Sequence, residues 1–446
     1  MPSPLQQFFK VRAGETHLVL VMGAIILSNA LAQKISEIVS VSHFVTDVGT
    51  VQFLGVLIIT SSISLFMTGL QSLLVDRFNR IQLLRIIGFG LGLAFVVLRL
   101  LFLFNAPSWL TYGLFYLLSD QQLVFFPMAF WVLANDVFDV SQSQRLFPLL
   151  ASMGFVGSLV GIGISAISPA LFQQANIKPE EILMVNILIY LLLHVLIENG
   201  MKDVKLRQVR HKVEPMRETL AEGWKFVQDV PVFRYLTIAI LGTIICETAL
   251  EYHFLVLSES TFAETSRFQI FFSLFTLIRV VIYMLIQALV TRRVIQGISL
   301  KNTFLIQPIS SLLGSLSMVI FTGLGGGVTG ILFQKIPQYT IDETARKALQ
   351  GLVPEERRGR VSLFMDSYLA ATGIIVGAAL TGIIVLVGRS IGYSSYFYAY
   401  LAVGAIAASV SIWSILKMRS VYDSSLFNWR LKRRQRGKSV LDKIDF

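Results

Sequence analysis

Long apolar stretches recur along the whole chain and constrain its fold more than any other feature. A helix needs about 20 mostly apolar residues to cross the ~30 Å hydrocarbon layer of a bilayer. Strands of a membrane barrel would be about 10 residues long and would alternate apolar with polar residues. The stretches in this chain are longer than that and apolar all round, so they predict twelve transmembrane helices in an all-α polytopic protein. They cover residues 18–39, 51–75, 84–104, 109–134, 148–171, 182–200, 233–257, 268–290, 302–322, 325–345, 361–387 and 393–416.

The composition excludes the main soluble alternatives. Only 15% of the residues are charged, against about 25% in a soluble domain, so polar side chains are too few to cover several water-facing surfaces. The single cysteine, Cys246, permits neither an intrachain disulfide nor a multi-cysteine metal site. No catalytic constellation, cofactor motif or metal-ligand spacing is present, so the sequence does not predict an enzyme.

The basic residues predict the orientation of the chain. Most of the 38 lysines and arginines lie on one side of the predicted spans, and loops rich in Lys and Arg stay in the cytoplasm. Twelve spans then leave both termini in the cytoplasm. Topology accounts for most of the net charge of +11, and no nucleic-acid partner is needed. The basic tail either contacts anionic lipid headgroups or reflects topology alone.

Short matches 215 or 216 residues apart indicate an internal repeat. Residues 74–80 (LVDRFNR) and 289–295 (LVTRRVI) share Leu, Val and Arg, and glycines spaced as GxxxG occur at 157 and 161 and again at 373 and 377. Two parallel six-helix pseudo-repeats would explain both matches. The predicted domains are an N-terminal bundle (1–200), a linker (201–232), a C-terminal bundle (233–418) and a basic cytoplasmic tail (419–446).

The linker carries an amphipathic pattern. Leu220, Trp224 and Val227 are spaced i, i+4, i+7, and charged residues occupy the other positions around them. Such a helix either lies on the inner face of the membrane or is a solvated connection, and the sequence leaves both interpretations open.

The loop after the second span resembles a signature of the major facilitator superfamily. The signature reads G-x-L-x-D-R-x-G-R, and Asp76, Arg77 and Arg80 match it, whereas Ser72 and Asn79 replace its glycines. In that superfamily this cluster ties the two halves together in one state. The resemblance therefore implies a twelve-helix transporter in which helices 1, 4, 7 and 10 line a central cavity. It also implies a gating role for these loop residues and for Arg292, which matches Arg77 in the second half. The same role is expected for Arg145 of the loop after the fourth span and for its match, Arg360.

A narrower resemblance is to the ATP/ADP translocase-like nucleotide transporters and their bacterial relatives. Residues 339–380 carry it through the acid pair Asp342–Glu343, Val-Pro-Glu-Glu-Arg at 353–357, and Asp366. Residues 131–161 resemble the counterpart in the first half, and Lys34 lies where that family places a basic residue. The resemblance implies exchange or co-transport of a nucleotide or related anionic metabolite, and a location in a bacterial inner membrane.

Ionisable residues inside the predicted spans are the candidate substrate-binding or coupling residues. Each costs about 2.5–3.5 kcal/mol or more in lipid, so it usually faces a cavity or a partner. Lys34/Glu37 and Glu247/Glu251 each share one helix face, while Asp120 and Lys335 occupy equivalent positions in the two halves. We expect these charges to oppose one another across a cleft. The complete set is Lys34, Glu37, Asp120, Glu247, Glu251, Arg279 and Lys335.

Alternatives to this site remain open. The charges could be buried ion pairs that fix helix register. In addition, the acidic residues of this set outnumber the cations, and this excess argues against a tight site for a triphosphate. A carboxyl group could instead carry a proton, and Trp131, Tyr252 or Phe254 could stack a base. The sequence therefore predicts a secondary transporter with alternating access. Its alternatives are a transporter of another solute or lipid, and a non-transporting scaffold or sensor.

Overall fold

A computed structural model describes residues 12, 14–77, 79–202, 204, 216–351, 353, 355–393 and 395–441, and these residues form helices and connections without a strand. The helices are α1 Thr16–Asp47, α2 Thr50–Arg77, α3 Arg80–Leu103, α4 Ser108–Val137, α5 Val140–Ala175, α6 Ile182–Gly200, a linker helix Met216–Asp229, α7 Pro231–Thr261, α8 Thr265–Ile286, α9 Ile306–Ile320, α10 Leu324–Pro337, α11 Leu369–Ser390 and α12 Phe397–Leu441.

Three of these helices are extended by π-helical turns. Gln287–Thr291 continues α8 and leads into Arg292–Ile298, and Gln338–Asp342 continues α10 and leads into Glu343–Gln350. Phe364–Tyr368 precedes α11 and follows a short helix, Glu355–Leu363. Such turns interrupt the regular hydrogen-bond ladder and often mark functional positions in helices.

Eleven helices of the described chain are long and apolar enough to cross a membrane. The exception among the twelve predicted spans is 325–345, which corresponds to α10 and its π-helical extension. Residues 324–350 are helical without a break, but Gln334, Lys335, Gln338 and Asp342 make this segment more polar than the others. The predicted all-α fold is confirmed, and most predicted spans extend by several residues in the structure.

The chain divides into two compact units. Unit 1 comprises Met1–Met216 and Ser258–Ile278, and unit 2 comprises Arg217–Leu257 and Arg279–Phe446. The end of α7 and the first part of α8 therefore pack with the N-terminal helices. The predicted domain boundaries at 200, 232 and 418 stay predictions, and α12 continues as a helix beyond residue 418 to Leu441.

In unit 1, the GxxxG glycines bring α5 against α1. A Cβ on Gly157 would lie 2.2 Å from the carbonyl oxygen of Leu27, and a Cβ on Gly161 would lie 2.5 Å from that of Leu31. Only glycine allows so close an approach of two backbones. This contact is the small-residue packing that such spacing favours in membranes.

The corresponding glycines in unit 2 bring α11 against α7. A Cβ on Gly373 would lie 2.7 Å from Ile244, and a Cβ on Gly377 would lie 2.9 Å from Cβ of Thr248. The glycines of the fifth helix thus pack on the first helix of each half. The sequence repeat therefore produces the same kind of close helix contact in both units.

The linker helix packs on protein, which neither sequence interpretation anticipated. A Cβ on Gly223 would lie 2.8 Å from Cβ of Phe364, and the Trp224 ring packs edge-on against Phe364 with centroids 6.2 Å apart. Val227 is buried while Trp224 stays half exposed. The Leu220 side chain lies outside the described residues. The predicted helix is present, but its buried face includes Gly223, which the apolar pattern did not select.

Candidate functional site

Among the residues that the structure describes, the most enclosed charge cluster is in unit 2, around Lys335 on α10. Its side chain is 8% exposed, and Nζ lies 2.5 Å from Oε1 of Glu247 and 3.1 Å from Oε2 of Glu251, both on α7. Gln338 donates to the second oxygen of Glu247 at 2.8 Å. One ammonium group thus joins two carboxylates that are one helical turn apart. Glu247 is enclosed, whereas the Glu251 side chain is 45% exposed.

A cation and a tyrosine on α8 lie beside this cluster. Arg279 interacts electrostatically with Lys335, and Tyr283 follows one turn later. The Tyr283 ring stacks on Tyr339 with centroids 5.4 Å apart and an angle of 27° between the planes. The Lys335 ammonium lies 5.9 Å from the centroid of Tyr339. We call Lys335, Glu247, Glu251, Arg279, Tyr283 and Tyr339 the Lys335 cluster.

A second network joins the extensions of α10 and α11. Arg346 Nε lies 2.9 Å from Asp342, and its Nη1 lies 3.9 Å from Asp366. Lys347 and Gln350 bind Asp366 at 2.5 and 2.9 Å. Residues of the nucleotide-transporter resemblance therefore meet in one place, and both acids lie within π-helical turns.

The predicted charges of unit 1 form two separate groups. Lys34 Nζ lies 2.5 Å from Oε2 of Glu37, which also accepts a hydrogen bond from Gln33 at 2.9 Å. Asp120 on α4 accepts a hydrogen bond from the Ser64 hydroxyl of α2, and Gln121 donates to it at 3.3 Å. Both groups are partly buried. The predicted arrangement of these charges across a cleft stays a prediction.

Two of the predicted gating residues form ion pairs within unit 1. Arg80 Nε lies 3.3 Å from Asp136 at the end of α4. Arg145 donates two hydrogen bonds, of 2.8 and 3.0 Å, to the carboxylate of Glu15 at the start of α1. These bonds, opposed by partial burial, hold the pKa of Glu15 at about 2, well below its usual value of 4.5.

The other four predicted gating residues lie on three further helical segments. Arg292 is exposed at the start of a short helix, and Arg360 is half-buried in Glu355–Leu363. Asp76 and Arg77 belong to α2, but their side chains lie outside the described residues.

A cavity of about 550 Å³ lies in unit 1, and the residues that line it include none of the predicted site residues. The ends of α1, α4, α5 and α8 line it, together with the connection from α5 to α6. Its wall includes His43, which lies 3.2 Å from Asp47 and stacks on Tyr112 with centroids 5.0 Å apart. Thr265 of α8 donates to Asp47 at 3.2 Å. The sequence analysis missed this cavity, although the i, i+4 spacing of His43 and Asp47 was a visible signal.

The aromatic residues that the sequence suggested for base stacking pack against other aromatic rings or are buried in the structure. Tyr252 and Phe254 are 2% and 1% exposed, and Tyr252 packs edge-on against Tyr400. Trp131 packs edge-on against Phe147, with centroids 5.3 Å apart. The stacked tyrosines beside Lys335 were missed. Their signal was a shared spacing, because Arg279 precedes Tyr283 and Lys335 precedes Tyr339 by four residues each.

Comparison with solved structures identifies the fold of the chain. The chain matches a nucleoside transporter NupG mutant with TM-score 0.64 and 14% identity, over 91% of this chain and 100% of that chain. It matches a bacterial homologue of the iron transporter ferroportin in its inward-facing state with TM-score 0.63 and 15% identity, over 92% and 100%. A POT family peptide transporter matches with TM-score 0.63 and 11% identity, over 89% and 96%. The chain therefore has the fold of the major facilitator transporters.

The sequence identifies the family within this class. The profile of the TLC ATP/ADP transporters matches residues 97–336, more than half of the chain, and the chain belongs to this family. A search of curated protein sequences gave no significant match. The chain is therefore an integral membrane protein and a secondary transporter of the nucleotide-transporting class, as the sequence predicted.

Proposed function

We propose that the chain moves a nucleotide or a related anionic metabolite across a bacterial inner membrane by alternating access, with both termini in the cytoplasm. Family membership supports the substrate class, and the Lys335 cluster supports the site. The single observation that carries the proposal is the enclosed Lys335 ammonium between Glu247 and Glu251. An enclosed cation whose partners are competing carboxylates is a site where an anionic substrate can take the place of one of them.

Glu251 is the carboxylate that leaves in this proposal. It is the more exposed of the two acids, and its contact with Lys335 is the longer one, 3.1 Å against 2.5 Å for Glu247. A phosphate oxygen then binds Lys335 in its place, with Arg279 nearby to share the negative charge. Without substrate, Glu251 returns and neutralises the site. This competition favours exchange of one anion for another.

The charges of unit 1 have a coupling role in this proposal. Lys34 is held by Glu37, and Asp120 by Ser64, so each group has a partner while substrate is absent. The loop residues Arg80 and Arg145 stabilise the ends of α4 and α1. Their proposed gating role is to hold these helix ends in one arrangement during the transport cycle.

Uptake by the purified chain in proteoliposomes tests the proposal. We expect labelled ATP or ADP to enter vesicles preloaded with unlabelled nucleotide. Lys335→Gln should reduce uptake by about 10- to 100-fold, because a hydrogen bond to a charged group contributes roughly 1.5–3 kcal/mol. Lys34→Ala should also reduce uptake. Lys301→Ala is the matched control, because Lys301 binds Asp423 in an exposed pair.

Two results would contradict the proposal in different ways. Failure of the wild-type chain to transport any nucleotide would reject the substrate class and favour another solute or lipid. Full activity of Lys335→Gln would reject the site while leaving the substrate class intact.

A further inference from the structure

The Lys335 cluster contains two copies of one pattern on neighbouring helices. Arg279 and Tyr283 on α8, and Lys335 and Tyr339 on α10 and its extension, each place a tyrosine four residues after a cation. Four residues advance a helix by about 6 Å, so each tyrosine lies about one turn beyond its cation. The tyrosines stack on each other, and Arg279 and Lys335 interact electrostatically. The result is a layer of cations beside a layer of aromatic rings.

Tyr339 is one of the exposed aromatic residues of unit 2. It is 44% exposed, whereas Tyr252, Phe254 and Tyr400 are at most 2% exposed. Tyr339 lies in the π-helical turn that follows Pro337. Its ring stacks on Tyr283, and nearly half of the residue surface is still exposed.

Tyr283 supplies an independent observation. Its hydroxyl oxygen is buried and has no hydrogen-bond partner among the described residues. Buried hydroxyl groups are usually hydrogen-bonded, so this one, beside a charge cluster, is available to a polar group of a ligand.

We propose that Tyr339, supported from behind by Tyr283, stacks the base of the nucleotide whose phosphates bind Lys335 and Arg279. The inference rests on the proposed function and adds the position of the base. Every base has an aromatic face, so stacking recognises that a base is present without selecting which one. The site therefore takes adenine and guanine nucleotides with similar affinity and takes a phosphate chain without a base more weakly.

Binding to the purified full-length chain in detergent tests the inference, with ATP, GTP and tripolyphosphate as probes. The wild type should bind ATP and GTP within a few-fold of each other and tripolyphosphate at least about 10-fold more weakly, the size expected of one base stack. Tyr339→Leu should weaken ATP at least about 10-fold and leave tripolyphosphate unchanged, while Tyr339→Trp should keep the wild-type affinity. Tyr398→Leu is the matched control, because Tyr398 is 42% exposed.

The outcomes separate this inference from the proposed function. An unchanged ATP affinity in Tyr339→Leu, or an equal loss for ATP and tripolyphosphate, would overturn the stacking role. The unchanged tripolyphosphate affinity also reports that the charge cluster is still folded in the variant. If the wild type bound neither ATP nor tripolyphosphate, the nucleotide site would be rejected altogether, and the base position with it.

Discussion

At the scale of the residue, the ionisable groups within the helices are compensated in small sets. Lys34 has one carboxylate, Lys335 has two, and Asp120 is hydrogen-bonded to a serine hydroxyl. An unpaired charge inside a membrane-spanning helix is energetically costly. The members of each set therefore stay paired when no substrate is bound. Among these three described sets, the one around Lys335 combines tight enclosure with a half-exposed partner, and for that reason we propose it as the place where anions exchange.

Removing Lys335 should destabilise the protein more than removing Glu251. Lys335→Met leaves two carboxylates without their cation, and loss of one partner of a buried pair costs about 3–5 kcal/mol. Glu251→Gln changes a half-exposed group and leaves the pair with Glu247 intact. Thermal unfolding in detergent measures both effects. The double variant Lys335→Met/Glu247→Gln should recover part of the loss, and no recovery would show that the enclosed pair is not coupled.

The ion pair of Glu15 and Arg145 predicts a dependence of stability on pH. The pKa of Glu15 is about 2 in the folded chain and 4.5 as a free side chain. A lowered pKa stabilises the folded state above pH 4.5, and this contribution is lost as the pH falls from 4.5 towards 2. The difference in melting temperature between wild type and Glu15→Gln should therefore be constant from pH 7 to 5 and shrink below 4.5. A difference that stays constant down to pH 3 would contradict the pair.

The sequence could predict those residue contacts that are local. The i, i+3 spacing of Lys34 and Glu37 places both on one face of α1, and the structure shows them bonded. The partners of Lys335 lie 84 and 88 residues away in the sequence, and no periodicity in a single chain indicates which helices will be neighbours. For the same reason, Tyr283 and Tyr339 were visible as residues but not as a stacked pair.

At the scale of the element, glycines decide which helices approach most closely. The glycines of α5 and α11 contact backbone or Cβ atoms of α1 and α7. In lipid, where burial of apolar surface between helices gains little, close packing is what holds helices together. The sequence predicted these contacts through the GxxxG spacing, because the spacing itself makes a flat surface on one helix face.

Alanine substitutions along α5 should separate packing glycines from neutral ones. Gly157→Ala places a methyl group 2.2 Å from the carbonyl oxygen of Leu27, so α1 and α5 must separate. Gly163 lies on the same helix with no atom within 4 Å of a Cβ. Gly163→Ala should therefore be neutral or stabilise the helix by about 0.5–1 kcal/mol. Melting temperatures of the two variants in detergent make the comparison, and equal effects would contradict the close contact.

Helix interiors were predicted better than helix ends and interruptions. Apolar composition locates a span because lipid requires it, but nothing in composition signals the π-helical turn at Gln338–Asp342 or the length of α12. The linker helix shows the same limit, since its periodicity predicts a helix while Gly223 packs on Phe364. Contacts of this kind depend on the shape of a distant partner. A hydrophobic pattern records only how apolar a face is.

At the scale of the whole molecule, the even number of crossings depends on one element. Eleven helices of the described residues qualify as spans by length and hydropathy, and the polar segment around α10 is the twelfth predicted crossing. Its polar residues belong to the proposed site and to the network near Asp342. These side chains lower the hydropathy of the segment, but they contact protein and need not face lipid. In both units, glycines of the fifth helix of a half pack on the first, which is consistent with six crossings in each half.

Accessibility of single cysteines should establish the number of crossings. In a Cys246→Ser background, Ser3→Cys and Ser439→Cys report the two ends of the chain, while Gln174→Cys and Ser390→Cys report the connections after α5 and α11. With twelve crossings and cytoplasmic ends, a membrane-impermeant thiol reagent should label Gln174→Cys and Ser390→Cys in spheroplasts. Ser3→Cys and Ser439→Cys should react only after permeabilisation. If α10 did not cross, the labelling of Ser390→Cys and Ser439→Cys would be reversed, while Ser3→Cys and Gln174→Cys would keep their pattern. The experiment therefore tests specifically whether the helix that carries Lys335 crosses the membrane.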